Sequence, residues 1–285
     1  MRIKSVLTPI KRVFRIIIHV LRYGGITYVN VSEINYGELF NDNDVILVSG
    51  GTKGIGLDVA KKLLKEGAIV IITGRNKDSL EKVHAQIGSK RLFYIDLDIS
   101  KTNQIEEKIT YIEEKVGKPI TALVNNAGIY SKSLFPDCAE EDAMKVFSTN
   151  AIGTLALSQV LCKRWLISPS EKTKKIINIS SQGGFVGANN AYRMTKWGIR
   201  GLTSYMGRTL CDKNIIVNGI APGFVMTDMQ PVFQKQGDNF YTEFNPIKRI
   251  AKPCEIAELA AFLLSNAANF IVGQTICCDG GYSLK

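Results

Sequence analysis

Histidine is scarce in this chain, with only two among 285 residues, and the six cysteines include no C-x-x-C pair. Zinc sites in proteins are built mainly from closely spaced cysteines and histidines, so we expect no metal site. Cysteines scattered without a spacing pattern also favour a reducing, cytoplasmic setting over a disulfide-bonded, secreted one.

Long apolar runs are also missing near the N-terminus, where the segment 13–21 is interrupted by Arg15 and His19. This segment is well short of the ~20 residues that span a bilayer, and it lacks the features of a secretory signal. Acidic residues are absent from residues 1–32, which carry six basic ones. Two interpretations stay open for residues 1–23. One is a basic amphipathic helix in peripheral contact with an anionic membrane, and the other is a helix packed on its own domain or on a partner subunit.

The net charge of +10 is unevenly distributed, because six of the basic residues lie in the first 32 positions. The rest of the chain therefore carries only +4, which gives weak support for nucleic-acid binding. We expect no nucleic-acid partner.

From residue 44 onward, short apolar runs alternate with segments of helical periodicity. The apolar runs predict strands at 45–48, 68–73, 92–95, 122–125, 175–180, 215–220 and 275–278. Helical patterns begin at 57 and cover 78–86, 104–116, 141–165, 191–212 and 254–264. Apolar strands separated by helices indicate a parallel sheet covered on both faces. The prediction is an α/β fold with one Rossmann-type domain at 44–285, a doubly wound seven-stranded parallel sheet, preceded by a basic N-terminal extension at 1–43.

A glycine-dense turn joins the first predicted strand to the first helix. Gly50, Gly54 and Gly56 leave the backbone open to close approach by a phosphate, and the free N–H groups at the helix start favour negative charge. The spacing differs from the common dinucleotide fingerprint. A tight turn without a ligand is the alternative interpretation.

Tyr192 and Lys196 are four residues apart and therefore share one helix face. An ammonium group beside a phenol favours the phenolate and lowers its pKa, so this pair predicts a general acid or base. Ser180 and Ser181 end a predicted strand, where a hydroxyl can hold a substrate oxygen. Taken alone, such a pair is common and usually indicates a surface tyrosine and a solvated lysine.

Seven motifs follow one another in an order typical of a known family. They are Ser49-Gly50-x-x-x-Gly54-x-Gly56, Asn125-Asn126-Ala127-Gly128, Asn150, Ser181, Tyr192-x-x-x-Lys196, Pro222-Gly223 and Asp279-Gly280-Gly281. On these motifs, residues 44–285 resemble the short-chain dehydrogenase/reductase family. Within it, the pattern is most similar to the 3-oxoacyl-[acyl-carrier-protein] reductase and small-alcohol dehydrogenase group. Ser49 departs from the usual threonine but keeps the hydroxyl.

The resemblance implies four catalytic residues. Tyr192 would give a proton to the substrate carbonyl or take one from an alcohol, and Ser181 would hydrogen-bond the same oxygen. Lys196 would lower the pKa of Tyr192 and hold the nicotinamide ribose. Asn150 would position a water in a proton relay through Lys196. We expect Asn125 to have a more structural role than Asn126.

The resemblance also implies the cofactor contacts. They are Gly50, Thr52, Lys53, Gly54, Ile55, Gly56, Arg75, Asp98, Ile99, Asn126, Ala127, Gly128, Tyr192, Lys196, Pro222, Gly223, Val225 and Thr227. No acid follows the second strand to accept from a ribose 2′-hydroxyl. Arg75 and Lys53 offer positive charge to a 2′-phosphate, so the sequence favours NADP(H), although each may instead be a solvated cation.

The leading prediction is an NADP(H)-dependent oxidoreductase that interconverts a carbonyl and a secondary alcohol, with 3-oxoacyl thioesters as one substrate class. An acyl-carrier protein would then be a partner, received by a basic patch of Lys172, Lys174, Lys175 and Lys213. The alternative is a solvated face, which is the more common role of a run of basic residues. The alternatives are a sugar, polyol or steroid-like alcohol dehydrogenase of the same family and a non-catalytic cofactor-sensing protein.

Segment 224–252 predicts a mobile lid containing Met226, Met229, Phe233, Phe240, Tyr241 and Phe244. The pocket wall would include Phe185, Val186 and Gly187. The resemblance also implies a homodimer or homotetramer formed through the helices at 141–165 and 191–212.

Overall fold

Seven strands form one sheet in which every neighbouring pair is parallel. They are β1 (Val45–Val48), β2 (Ile69–Gly74), β3 (Leu92–Asp96), β4 (Ala122–Asn125), β5 (Lys174–Ile179), β6 (Ile215–Pro222) and β7 (Thr275–Cys278). Their order is β3-β2-β1-β4-β5-β6-β7. The order reverses between β1 and β4, which is where open α/β sheets bind ligands at the carboxyl ends of their strands. The predicted fold class is confirmed.

The structure is a computed structural model that describes residues 36–37, 39–131, 133–229 and 240–284, with positions 14, 17, 18 and 21. Most of the predicted N-terminal extension and residues 230–239 of the predicted lid, including Phe233, lie outside the described residues.

Helices cover both faces of the sheet. They are α1 (Gly54–Lys65), α2 (Lys77–Ile87), α3 (Ile105–Val116), α4 (Glu140–Phe147), α5 (Thr154–Ile167), α6 (Ala191–Leu210) and α7 (Pro253–Leu264). Strand β1 shows why its sequence is uniformly apolar. Ile46 and Val48 pack on the side of α1 and α7, whereas Val45 and Leu47 pack on the side of α3 and α5. A strand buried on both faces has no polar side.

The predicted helix at 141–165 is confirmed as one helical stretch over 140–167, but it contains a π-helical segment that was not predicted. Between α4 and α5 lies a π-helical segment, Ser148–Gly153. Within it, Gly153 packs so closely on the loop after β3 that a Cβ would lie 2.7 Å from the Ile99 carbonyl oxygen. Apolar periodicity does not reveal such an insertion, because the apolar face continues on both sides of it.

The folded core begins a few residues before the predicted domain start at residue 44. Phe40 is buried among the side chains of α1, and its N–H donates to the Glu66 carbonyl oxygen at 3.0 Å. Within the described residues, no helix is long and apolar enough to cross a membrane.

Candidate active site

The glycine turn after β1 needs its glycines for two separate reasons. Gly50 and Gly54 have φ angles of +67° and +54°, a region that side chains with a Cβ rarely adopt. At Gly56, a Cβ would lie 2.3 Å from the Gly50 carbonyl oxygen. Helix α1 begins at Gly54, so its unpaired N–H groups are presented at the end of β1. The local geometry is suited to an anion.

Ser49 and Asn126 hold this turn against β4. The Ser49 hydroxyl accepts hydrogen bonds from the N–H groups of Asn126 at 3.0 Å and Ala127 at 3.1 Å. In return, the Asn126 side chain donates to the carbonyl oxygens of Ser49 and Gly50, both at 3.0 Å. These hydrogen bonds need only a hydroxyl at position 49, which explains why serine can replace the usual threonine.

Asn125 is buried and joins neighbouring elements. Its amide donates to the Asn178 side chain on β5 at 2.8 Å and to the Ser158 hydroxyl on α5 at 2.9 Å. The expected structural role of Asn125 matches this position. Asn126 is also structural through its bonds to the glycine turn, although it lines the open space beside it.

Two adjoining clefts open at the carboxyl ends of the central strands. The glycine-turn cleft is lined by twelve of the predicted cofactor residues, Gly50, Thr52, Lys53, Gly54, Ile55, Arg75, Asp98, Ile99, Asn126, Ala127, Gly128 and Thr227. The Tyr192 cleft is lined by Ser181, Tyr192, Lys196, Pro222, Gly223 and Val225. Ile55, Asn126, Gly128 and Thr227 border both clefts, which makes them one continuous surface. Gly56 lines neither cleft, since it lies under the turn.

The cationic residues of the glycine-turn cleft differ in their surroundings. Lys53 forms an ion pair with Asp228, with 3.0 Å between Nζ and Oδ2, and both side chains are largely exposed. Arg75 is exposed at the end of β2 and makes no ion pair within the described part of the chain. Asp98 accepts from both the N–H and the hydroxyl of Ser100, at 3.0 and 2.7 Å.

Lys196 lies beside Tyr192, with 5.5 Å between its Nζ and the centre of the tyrosine ring. The ammonium group donates to the Ile179 carbonyl oxygen at 2.7 Å, at the end of β5. Burial lowers the pKa of Lys196 to about 8, because the charged form loses its hydration.

Burial raises the pKa of Tyr192 above the ordinary value for a tyrosine. The polar side chain of Ser181 acts in the opposite direction, and the nearby Tyr130 raises the pKa further. The predicted lowering of this pKa by Lys196 is wrong for this geometry. Desolvation outweighs the effect of Ser181, while the ammonium group is engaged by the Ile179 carbonyl.

Asn150 lies in the π-helical segment and is fully buried. Its side chain pairs with the backbone of Ile129, accepting from the N–H and donating to the carbonyl oxygen, both at 2.9 Å. It also donates to the Thr195 hydroxyl at 3.3 Å, one residue before Lys196. The side chain thus ties the loop after β4 to α6, and its place in a proton relay stays a prediction.

Several residues that line the clefts were not predicted, among them Tyr130 and Gln182. The rings of Tyr130 and Tyr192 lie 4.9 Å apart at an angle of 46°. Gln182 is buried, and its carbonyl oxygen has no hydrogen-bond partner in the described structure. Both follow predicted motifs in the sequence, Tyr130 two residues after Gly128 and Gln182 directly after Ser181. Their positions next to these motifs are the sequence signal that could have predicted them as cleft residues.

The predicted pocket wall is partly corrected. Val186 lines the Tyr192 cleft, but Phe185 packs against the Arg200 guanidinium, whose central carbon lies 3.5 Å from the ring centre. From the predicted lid, Phe224 and Met229 line the cleft together with Tyr282.

The predicted basic patch is also corrected. Lys174 and Lys175 are buried, since β5 is covered on both faces. Lys172 forms an ion pair with Asp44 at 2.6 Å, and Lys213 pairs with Asp212 at 2.9 Å. Four free surface cations are therefore not present at these positions.

Comparison with known proteins defines the class. Residues 50–283 match the family model described as enoyl-(acyl carrier protein) reductase. The chain is 34% identical over 242 residues to the 3-oxoacyl-[acyl-carrier-protein] reductase FabG of Aquifex aeolicus (strain VF5), covering 83% of this chain and 96% of the relative. It is 30% identical to the 3-oxoacyl-[acyl-carrier-protein] reductase MabA of Mycobacterium bovis (strain ATCC BAA-935 / AF2122/97), covering 84% of this chain and 92% of the relative.

Solved structures agree with this assignment. An actinorhodin polyketide ketoreductase variant with NADPH has a TM-score of 0.77 at 28% identity, covering 85% of this chain and 98% of that one. A putative gluconate dehydrogenase from Agrobacterium tumefaciens has a TM-score of 0.78 at 26% identity, with coverage of 87% and 98%. The chain belongs to the short-chain dehydrogenase/reductase family. It is an oxidoreductase of this class, whose members use a nicotinamide cofactor.

Proposed function

We propose that the protein is an NADP(H)-dependent carbonyl reductase in which Tyr192 is the general acid and base. The observation that carries the proposal is that Ser181, Tyr192 and Lys196 line one cleft, which is continuous with the glycine turn. A substrate carbonyl oxygen at this hydroxyl pair would receive the proton of Tyr192. Ser181 would hold the same oxygen, and Lys196 would supply positive charge at the closed end of the cleft.

The residues of the glycine-turn cleft fit a dinucleotide phosphate, because α1 begins at Gly54 and presents its unpaired N–H groups there, beside the cationic Lys53. The bound cofactor supplies the hydride. NADP(H) is favoured because Arg75 is exposed at the end of β2 with no carboxylate in its place, and because a structural relative contains NADPH. The roles of the predicted cofactor and catalytic residues are part of this proposal.

We infer 3-oxoacyl thioesters, carried by an acyl-carrier protein, as the substrate class, on the names of the relatives. The reaction would take place in the cytoplasm, where cysteines stay unpaired, as all six are here. Exposed Met144, Ile152, Trp197 and Tyr205 on α4 to α6 support a homodimer or homotetramer formed through these helices.

The deciding experiment measures NADPH oxidation against a panel of 3-oxoacyl-acyl-carrier-protein thioesters, simple ketones and keto-sugars. Highest kcat/KM with the thioesters supports the proposed substrate. No oxidation with any carbonyl, combined with tight NADPH binding, would instead favour a cofactor sensor.

A second candidate, reduction of hydroxylated ketones such as keto-sugars, is favoured by one observation. Gln182 lines the Tyr192 cleft, and its carbonyl oxygen is buried without a hydrogen-bond partner among the described residues, so a rotation of the side chain would offer this oxygen to a substrate hydroxyl. Gln182→Leu would then lower kcat/KM for a hydroxyketone about ten-fold or more relative to the matching plain ketone. An equal effect on both substrates excludes this candidate.

A further inference from the structure

An apolar helix face at the N-terminus is exposed. Phe14, Ile17, Ile18 and Leu21 are helical, and their spacing of three, one and three residues places them on one face. Their exposed fractions are 64%, 47%, 49% and 80%. We call these four side chains the N-terminal apolar face.

This face is not fully buried against the reductase domain, because between 47% and 80% of each side chain is open to solvent. Four large apolar side chains side by side are an unfavourable water-facing surface unless something covers them. The domain itself therefore leaves these four side chains largely uncovered, and the two remaining interpretations are a membrane surface and a partner subunit.

The charge of the surrounding sequence indicates what covers the face. Residues 1–32 contain Arg2, Lys4, Lys11, Arg12, Arg15 and Arg22 and no acidic residue. A second copy of the same segment would bring equal positive charge and be repelled. An anionic lipid surface complements both the apolar face and the positive charge, since it accepts apolar side chains between its headgroups and attracts lysine and arginine.

We propose that the N-terminal apolar face lies on an anionic membrane surface and tethers the reductase to it. The helix lies in the plane of the interface with its four apolar side chains below the headgroups. This proposal is independent of the reaction that the domain catalyses.

Co-sedimentation of the full chain with vesicles tests the proposal. One set contains phosphatidylcholine alone, and the other contains phosphatidylcholine and phosphatidylglycerol at about three to one. We expect binding to the anionic vesicles at least about ten-fold stronger than to the neutral ones, weakening as salt shortens the range of attraction. Equal binding to both sets, or binding to neither, overturns the proposal.

Two variants separate the apolar and charged contributions. Ile17→Ser with Ile18→Ser, and separately Lys11→Glu with Arg15→Glu, should each lower the partition onto anionic vesicles at least about ten-fold. Phe270→Ser is the matched control, because Phe270 is fully exposed in the reductase domain, and it should bind like the parent chain.

NADPH oxidation without vesicles, measured alongside, should be unchanged in every variant. The opposite outcome is that the parent chain self-associates but does not bind vesicles, and that the Ile17→Ser, Ile18→Ser variant abolishes the self-association. This result would show that a second copy packs on the N-terminal apolar face, and it would refute the membrane role.

Discussion

Lys53 and Asp228 join the glycine turn to the segment after β6 through an ion pair of 3.0 Å. Both residues line the glycine-turn cleft. Because both side chains are well exposed, the pair contributes little to stability, at most about 1 kcal/mol. A phosphate group with two negative charges can therefore displace Asp228 from Lys53.

Removing the charge of Asp228 should make Lys53 more available. We expect Asp228→Asn to tighten NADPH binding about two- to five-fold, corresponding to a weak exposed pair, and to leave NADH binding unchanged. Fluorescence titration of both cofactors checks this. Asp212→Asn is the matched control, since Asp212 forms a comparable exposed pair with Lys213. Weaker NADPH binding in Asp228→Asn would contradict a phosphate role for Lys53.

Arg75 is the stronger test of cofactor preference. Arg75→Asp should lower kcat/KM for NADPH at least about ten-fold and raise it for NADH, because a carboxylate repels the 2′-phosphate and accepts from a 2′-hydroxyl. Lys77→Asp, two residues away at the exposed start of α2, controls for the general change of charge. Unchanged kcat/KM for NADPH in Arg75→Asp would rule out its contact with the phosphate.

The strands and the glycine turn were predictable, whereas the electrostatics of the site were not. Strand β1 is buried on both faces, which leaves an uninterrupted apolar run in the sequence. Gly50 and Gly54 have positive φ angles that favour glycine, so the turn is also visible in the sequence. The direction of the Tyr192 pKa depends on how deeply the phenol is buried and on where the Lys196 ammonium bonds. These are properties of packing between distant segments, which spacing along the chain does not encode.

The same distinction explains the corrected basic patch. Lys174 and Lys175 begin β5, and a run of basic residues in a sequence usually indicates a solvated face. Here the lysine side chains are covered by neighbouring elements, and Lys175 donates to the Ser265 carbonyl oxygen. Tertiary packing therefore determines that these two lysines are buried and not part of a surface patch.

The burial of Lys175 predicts a pH dependence of stability. Its pKa is lowered to about 8 by burial, against 10.5 for a solvated lysine. Between these values the unfolded chain binds more protons, so this residue's contribution to the free energy of unfolding rises with pH. Relative to Lys175→Met, the parent chain should therefore gain stability from neutral pH toward pH 10.5. Urea unfolding across this range measures the difference, and a constant difference would contradict the lowered pKa.

Ser49 should matter for stability through its hydroxyl alone. Ser49→Ala leaves the N–H groups of Asn126 and Ala127 without their acceptor and should lower the free energy of unfolding by about 1–3 kcal/mol. Ser49→Thr keeps the hydroxyl and serves as the control. Chemical denaturation measures both, and equal losses in the two variants would show that shape, not hydrogen bonding, governs this position.

The central claim is that Tyr192 transfers the proton, and Tyr192→Phe tests it most directly. The variant keeps the aromatic ring beside Tyr130 and removes only the phenol hydroxyl, in the cleft that Ser181 also lines. With NADPH and the best carbonyl of the substrate panel, we predict a fall in kcat of about 100- to 10,000-fold while the NADPH dissociation constant stays within about two-fold. Tyr205→Phe, at an exposed position on the same helix, should be unaffected. Retention of kcat within a few-fold in Tyr192→Phe, or loss of NADPH binding together with turnover, would contradict the proposed role.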